Sequence, residues 1–92
     1  MIRASCGGAH LTVRGHAGYG EYGKDIVCAA ASALVYALAG RLRETGRLER
    51  FQSAPGYVGI AGTGDCAREF ALVRCGLALL ARQYPDRVEV GS

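Results

Sequence analysis

His16 and Cys28 bracket most of the stretch GHAGYGEYGKDIVC, residues 15–28. A thiolate is a strong carbon nucleophile, and an imidazole titrates close enough to neutrality to take the thiol proton. The stretch holds four glycines and two tyrosines, and it runs directly into AAASALVYALAG, an apolar run suited to a core helix. A loose segment between two reactive side chains, abutting a rigid one, admits three readings.

As a phosphate-binding loop, Gly18 to Lys24 has the frame G-x-x-x-x-G-K ahead of a helix, but Asp25 stands where a P-loop needs Ser or Thr for magnesium. Glu21 inside the loop adds a second carboxylate that would repel a polyphosphate. As structure alone, the loop is a glycine-rich connection, His16 a polar strand end and Cys28 a small core residue. As chemistry, Asp25 caps a helix and Cys28 falls at its third position, where free N–H groups and the positive helix end favour a thiolate. The loop is long enough to fold His16 back over that helix start, as a Cys–His nucleophile and base require.

Two neighbours have competing roles. Asp25 can cap the helix by accepting the N–H of Val27 or Cys28, or turn toward His16 and fix its tautomer. Ser32, one turn past Cys28, can bond back to the Cys28 carbonyl or donate to the sulfur or a substrate.

The elements that must position these residues follow from periodicity. Ile2, Ala4 and Cys6, then Leu11 and Val13, alternate with polar residues around Gly7-Gly8, which predicts a β-hairpin. Ile26 to about Thr45 reads as a helix stopped by Gly46, apolar nearly all round through Ala39 and so covered on more than one side. Leu48 to Ser53 and Tyr57 to Ala61 read as a second hairpin through Ala54-Pro55-Gly56, although the first of these alternates poorly. Thr63-Gly64-Asp65 opens a second helix with Phe70, Val73, Leu77, Leu80 and Tyr84 as its buried stripe and Pro85 as its end. Val88 and Val90 suit a final short strand. The fold class is α/β (α+β), ββαββα(β), a small sheet with two helices packed on it.

The 92 residues predict a single domain, 1–92, with a radius of gyration of about 12 Å. Half the residues are apolar, so a core needs no staples. The net charge of +3 is spread along the chain without a basic stripe, so nucleic acid is not a required partner. The N-terminus has no signal-like pattern, which suggests a cytoplasmic protein. The run Ile26 to Ala39 falls short of the roughly 20 residues that cross a bilayer, so no membrane association is expected. Cys6, Cys66 and Cys75 show no C-x-x-C spacing, and neither a metal nor a cofactor is called for.

At residues 15–32 the sequence resembles the ribosomal-processing cysteine protease (Prp) family. The shared pattern is a Gly-His-Ala strand end (Gly15, His16, Ala17), a glycine-rich loop, and a helix opening on Asp25, Ile26, Val27, Cys28, Ala29 and Ala30, with Ser32 beyond. The resemblance implies a cytoplasmic endopeptidase with Cys28 as nucleophile and His16 as base. It implies as substrate a large-subunit ribosomal protein precursor, from which a short N-terminal extension is removed, and a homodimeric enzyme. It further implies that the loop Gly18, Tyr19, Gly20, Glu21, Tyr22 and Gly23 is mobile and lies over the site. Tyr19 and Tyr22 then either touch the substrate or pack on the helix end. The competing class is a non-catalytic binding module associated with ribosomes or RNA, which loss of activity but not of binding in Cys28→Ala would exclude.

Overall fold

The computed structural model describes residues 1–21 and 24–91. The expectations for Tyr22 and Gly23 lie outside the described residues.

The first hairpin follows the period-two pattern. Strands β1 (Ile2–Cys6) and β2 (His10–Arg14) pair antiparallel, burying Ile2, Ala4, Cys6 and Leu11 while Arg3 and Arg14 stay exposed. The turn is centred one residue later than expected, on Gly8-Ala9, because the Gly7 N–H donates to the His10 carbonyl at 2.9 Å. That register sets Leu11 beside Cys6 and Val13 beside Ala4, large against small, which fills the sheet face evenly.

Helix α1 (Ile26–Glu44) begins at the Asp25 cap and closes on Thr45. It buries Val27, Ala31, Val35, Leu38 and Leu42, one stripe at helical spacing. It is covered on more than one side, by the sheet and by the second helix, while its outer face stays open, with Ile26 59% and Tyr36 47% exposed. The sheet and the second helix occupy its inner flank, and mostly small residues (Ala29, Ala33, Ala37) face outward. That open face becomes part of the site described below.

Strands β3 (Leu48–Ala54) and β4 (Tyr57–Gly62) form the second hairpin, turning at Pro55-Gly56. The poor alternation of β3 has a physical cause. An irregularity between Leu48 and Arg50 shifts the register, so Leu48 and Phe51, three apart, are both half-buried against the core.

Helix α2 (Ala67–Gln83) starts later than expected. Its N-cap is Cys66, which makes no side-chain cap bond. Packing sets this start: Cys66 is 1% exposed, and a Cβ on Gly62 would lie 2.8 Å from its sulfur. Phe70, Val73 and Leu77 are buried, while Leu80 and Tyr84 pack half-exposed at the end of the same stripe. Gly76, a weak helix former, lies where α1 crosses closely, with Leu34 Cδ2 2.8 Å from the place of a Cβ.

Strand β5 (Val88–Gly91) pairs parallel to β1, giving the sheet order β3-β4-β2-β1-β5. Helix α1 packs over β3 and β4, and α2 over β1 and β5. Leu42 and Leu77 are fully buried at the centre of the core, each contributing about 1.5–3 kcal/mol by removal from water. The radius of gyration is 12.4 Å.

Candidate active site

The site grows from the start of α1. The Asp25 carboxylate is 7% exposed and accepts four backbone N–H groups. Its Oδ1 takes Val27 at 2.9 Å and Cys28 at 3.0 Å, which is the N-cap. Its Oδ2 takes Tyr19 at 2.8 Å and Gly20 at 3.2 Å, tying the glycine loop to the helix. Burial alone would raise the Asp25 pKa, but the bonds from Cys28, Gly20, Tyr19 and Val27 outweigh it and hold the carboxyl below the usual aspartate value. Of its two expected roles, capping is the one the carboxylate fills.

Cys28 sits half-buried in the first helical turn, and its Sγ accepts the Ala17 backbone N–H at 3.2 Å. Ala17 itself is 1% exposed, so the donor is anchored in the core.

His16 lies two residues past the end of β2 and is exposed. The Gly15 N–H donates to the Gly56 carbonyl at 2.8 Å, which brings the β3–β4 turn beside it. The imidazole packs against that turn: a Cβ on Gly56 would come 3.3 Å from His16 Nε2.

His16 and Cys28 open onto one cavity of about 590 Å³. Cys28, Ser32 and Tyr36, spaced four apart on α1, line one wall, and Ala54, Pro55 and Gly56 line the other. Tyr36 is fixed by its hydroxyl, 3.0 Å from Ser53 Oγ, and by edge-on contact with Phe51. Ser32 makes no hydrogen bond back to the Cys28 carbonyl among the described residues, so its hydroxyl belongs to the cavity wall. From Cys28 to Tyr36 the wall runs about 12 Å along the helix, room for three or four residues of extended chain.

Gly18 and Gly20 also line the cavity, whereas Tyr19 and Glu21 do not. The Tyr19 ring meets Tyr84 edge-on at 5.2 Å, beside the end of α2 rather than the start of α1. Glu21 faces Lys24 at 3.9 Å in an exposed pair. Among the described residues no three His, Cys, Asp or Glu side chains cluster as a metal ion would need.

Sequence reasoning singled out Cys28, His16, Asp25 and Ser32, all of which line the cavity, but did not point to the opposite wall. Pro55-Gly56 was legible as a turn, but no local signal says that it faces His16. The pairing of β4 with β2 decides that. Tyr36 was detectable in principle, since it continues the Cys28–Ser32 stripe by four residues.

A family model for the cysteine protease Prp matches residues 2–89. The chain belongs to the Prp cysteine protease family. Its fold is that of Prp from S. aureus, an essential ribosomal processing protease solved with a covalently linked product peptide. That match has a TM-score of 0.83 at 21% identity, covering 98% of this chain and 95% of that one. A second structure of the S. aureus protease, with a substrate peptide, matches with a TM-score of 0.77 at 18% identity over 98% and 95% of the two chains. The protein SMU.848 from Streptococcus mutans matches at 30% identity and a TM-score of 0.73, over 98% of this chain and 91% of that one. None of the curated proteins matches the sequence.

Proposed function

We propose that this member of the Prp family is a cytoplasmic, homodimeric cysteine endopeptidase that removes the short N-terminal extension of a large-subunit ribosomal protein. Cys28 is the nucleophile and His16 the base. The observation that carries this reading is the setting of the Cys28 sulfur. It lies in the first turn of α1, accepts an N–H, and opens with His16 onto a cavity long enough for a peptide. The likeness to a ribosomal processing protease solved with peptides supports the substrate class.

In the reaction His16 takes the thiol proton and the sulfur adds to the scissile carbonyl carbon. The C–N bond breaks as the imidazolium gives its proton to the departing amine, leaving a thioester on Cys28. Water, deprotonated by His16, adds to the thioester, the C–S bond breaks, and the thiolate and the N-terminal fragment with a free carboxylate result. The Val27 and Cys28 N–H groups are already bonded to Asp25, so they are not available as donors to the oxyanion in this arrangement. The apolar walls from Val35, Tyr36 and Pro55 suit an uncharged peptide segment next to the cleaved bond.

The test is cleavage of a synthetic precursor of the host ribosomal protein, with product mass locating the cut. Wild-type protein should release the extension, and Cys28→Ala should bind the precursor without cutting it. Cleavage by the Cys28→Ala variant at the wild-type rate would overturn the assignment.

A further inference from the structure

The glycine loop is anchored in two places, and only one of them lies in the motif that the sequence displays. Asp25 holds the N–H groups of Tyr19 and Gly20 from the side of α1. From the opposite side, the Arg87 guanidinium donates to the Gly18 carbonyl at 2.8 Å, across 69 positions of chain. Tyr84 adds its ring to Tyr19 at 5.2 Å. These two residues belong to one tight turn. The N–H groups of Arg87 and Val88 both donate to the Tyr84 carbonyl, at 2.9 and 3.0 Å, and the Arg87 carbonyl accepts the Ile2 N–H at 2.8 Å. The turn is therefore fixed to α2 at one end and to β1 at the other.

The consequence reaches the sulfur. Gly18 follows directly on Ala17, whose N–H is the donor to Cys28 Sγ. A peptide chain held at the Gly18 carbonyl and the Tyr19 ring cannot swing Ala17 away from the helix start without breaking both contacts. Gly18 has φ of +66°, so its carbonyl direction is set by a conformation that other residues rarely adopt.

We propose that Arg87 and Tyr84 are positioning residues that latch the Gly18-Tyr19 segment from the α2–β5 turn and so hold the Ala17 N–H on the Cys28 sulfur. The latch rests on the proposed role of Cys28 but concerns the readiness of the thiol, which can be measured without substrate. It makes the reactive state of Cys28 depend on a turn near the other end of the chain.

The experiment is alkylation of the folded protein by iodoacetamide at about pH 7, with mass spectrometry following Cys28 and the exposed Cys75 as internal reference. Arg87→Ala should slow labelling at Cys28 about three- to tenfold, the effect of losing one stabilising hydrogen bond, and leave Cys75 unchanged. Arg87→Lys, which can still donate to the Gly18 carbonyl, should recover most of the rate. Tyr19→Ala, an exposed substitution with little risk to folding, should slow labelling in the same direction, and its effect should be less than additive with Arg87→Ala. On peptide the Arg87→Ala loss should fall on kcat, with KM little changed. Labelling of Cys28 at or above the wild-type rate in both Arg87→Ala and Tyr19→Ala would overturn the latch. If no precursor is cleaved by wild-type protein, the proposed protease function fails, and the labelling series still decides the latch by itself.

Discussion

Two cavities of nearly equal volume, about 590 and 580 Å³, are each lined by cysteine. In the first, the Cys28 sulfur lies in the opening turn of a helix, receives a backbone N–H, and has a histidine on the same wall system. In the second, Cys6 and Cys75 accompany Gly7, Gly8 and Arg74. Cys6 is buried on β1, and burial pushes its thiol up, only partly offset by the nearby Arg74 charge. Cys75 lies in mid-helix, where the backbone N–H groups are already used within the helix. The same side chain in similar hollows is thus placed for different fates, because thiol chemistry follows the donors and charges around the sulfur rather than access alone.

The strongest way to break this comparison is to remove each thiol in turn. Cys28→Ala should lower peptide turnover by roughly four orders of magnitude or more, and Cys6→Ala or Cys75→Ala should leave it within about twofold. Comparable losses from a cysteine of the second cavity would show that the two hollows are functionally equivalent. His16→Ala should approach the Cys28→Ala loss in single-turnover assays, because nucleophile and base act as a unit.

Asp25 sharpens the comparison, since among the described residues no carboxylate lines the second cavity. Asp25→Asn replaces one acceptor by a donor facing backbone N–H groups, so the melting temperature and turnover should fall together. The pH dependence has a definite sign. A carboxyl held below its ordinary value of 3.8 stabilises the fold above that value, and this stability is lost as pH falls through the folded-state value. Melting curves of wild type and Asp25→Asn taken from neutral to strongly acidic pH should converge at the acid end.

Gly56→Ala tests the wall opposite Cys28. Its φ of +72° and the nearness of His16 Nε2 together should cost about 1–2 kcal/mol of stability. The added methyl should also displace the imidazole, cutting kcat several-fold with Cys28 labelling still measurable. The smallest effect is expected where α1 crosses α2. Gly76→Ala gains about 1 kcal/mol of helix propensity but pushes on Leu34, whose flexible side chain can yield, so denaturant unfolding should differ from wild type by less than about 1 kcal/mol.

The parts of this protein that its sequence determined are those governed by neighbours along the chain. The alternation of Ile2 to Cys6, the cap at Asp25, the stripe of Phe70, Val73 and Leu77, and the stop at Gly46 each depend on bonds or faces within a few residues. They placed Cys28 in the first turn of α1 and His16 just past β2, and both line one cavity. The late start of α2 and the shifted register of β3 escaped because packing of Cys66 and Phe51 against the core overrode local turn chemistry. Tertiary structure alone decided what stands across from those residues. Pairing of β4 with β2 brought Gly56 to His16, and parallel pairing of β5 with β1 brought the turn carrying Arg87 to Gly18. Such contacts join segments tens of residues apart, and their register is chosen by how the whole core fills and how the sheet closes against two helices. No short stretch of sequence carries that information, because it is a property of all the layers packed at once.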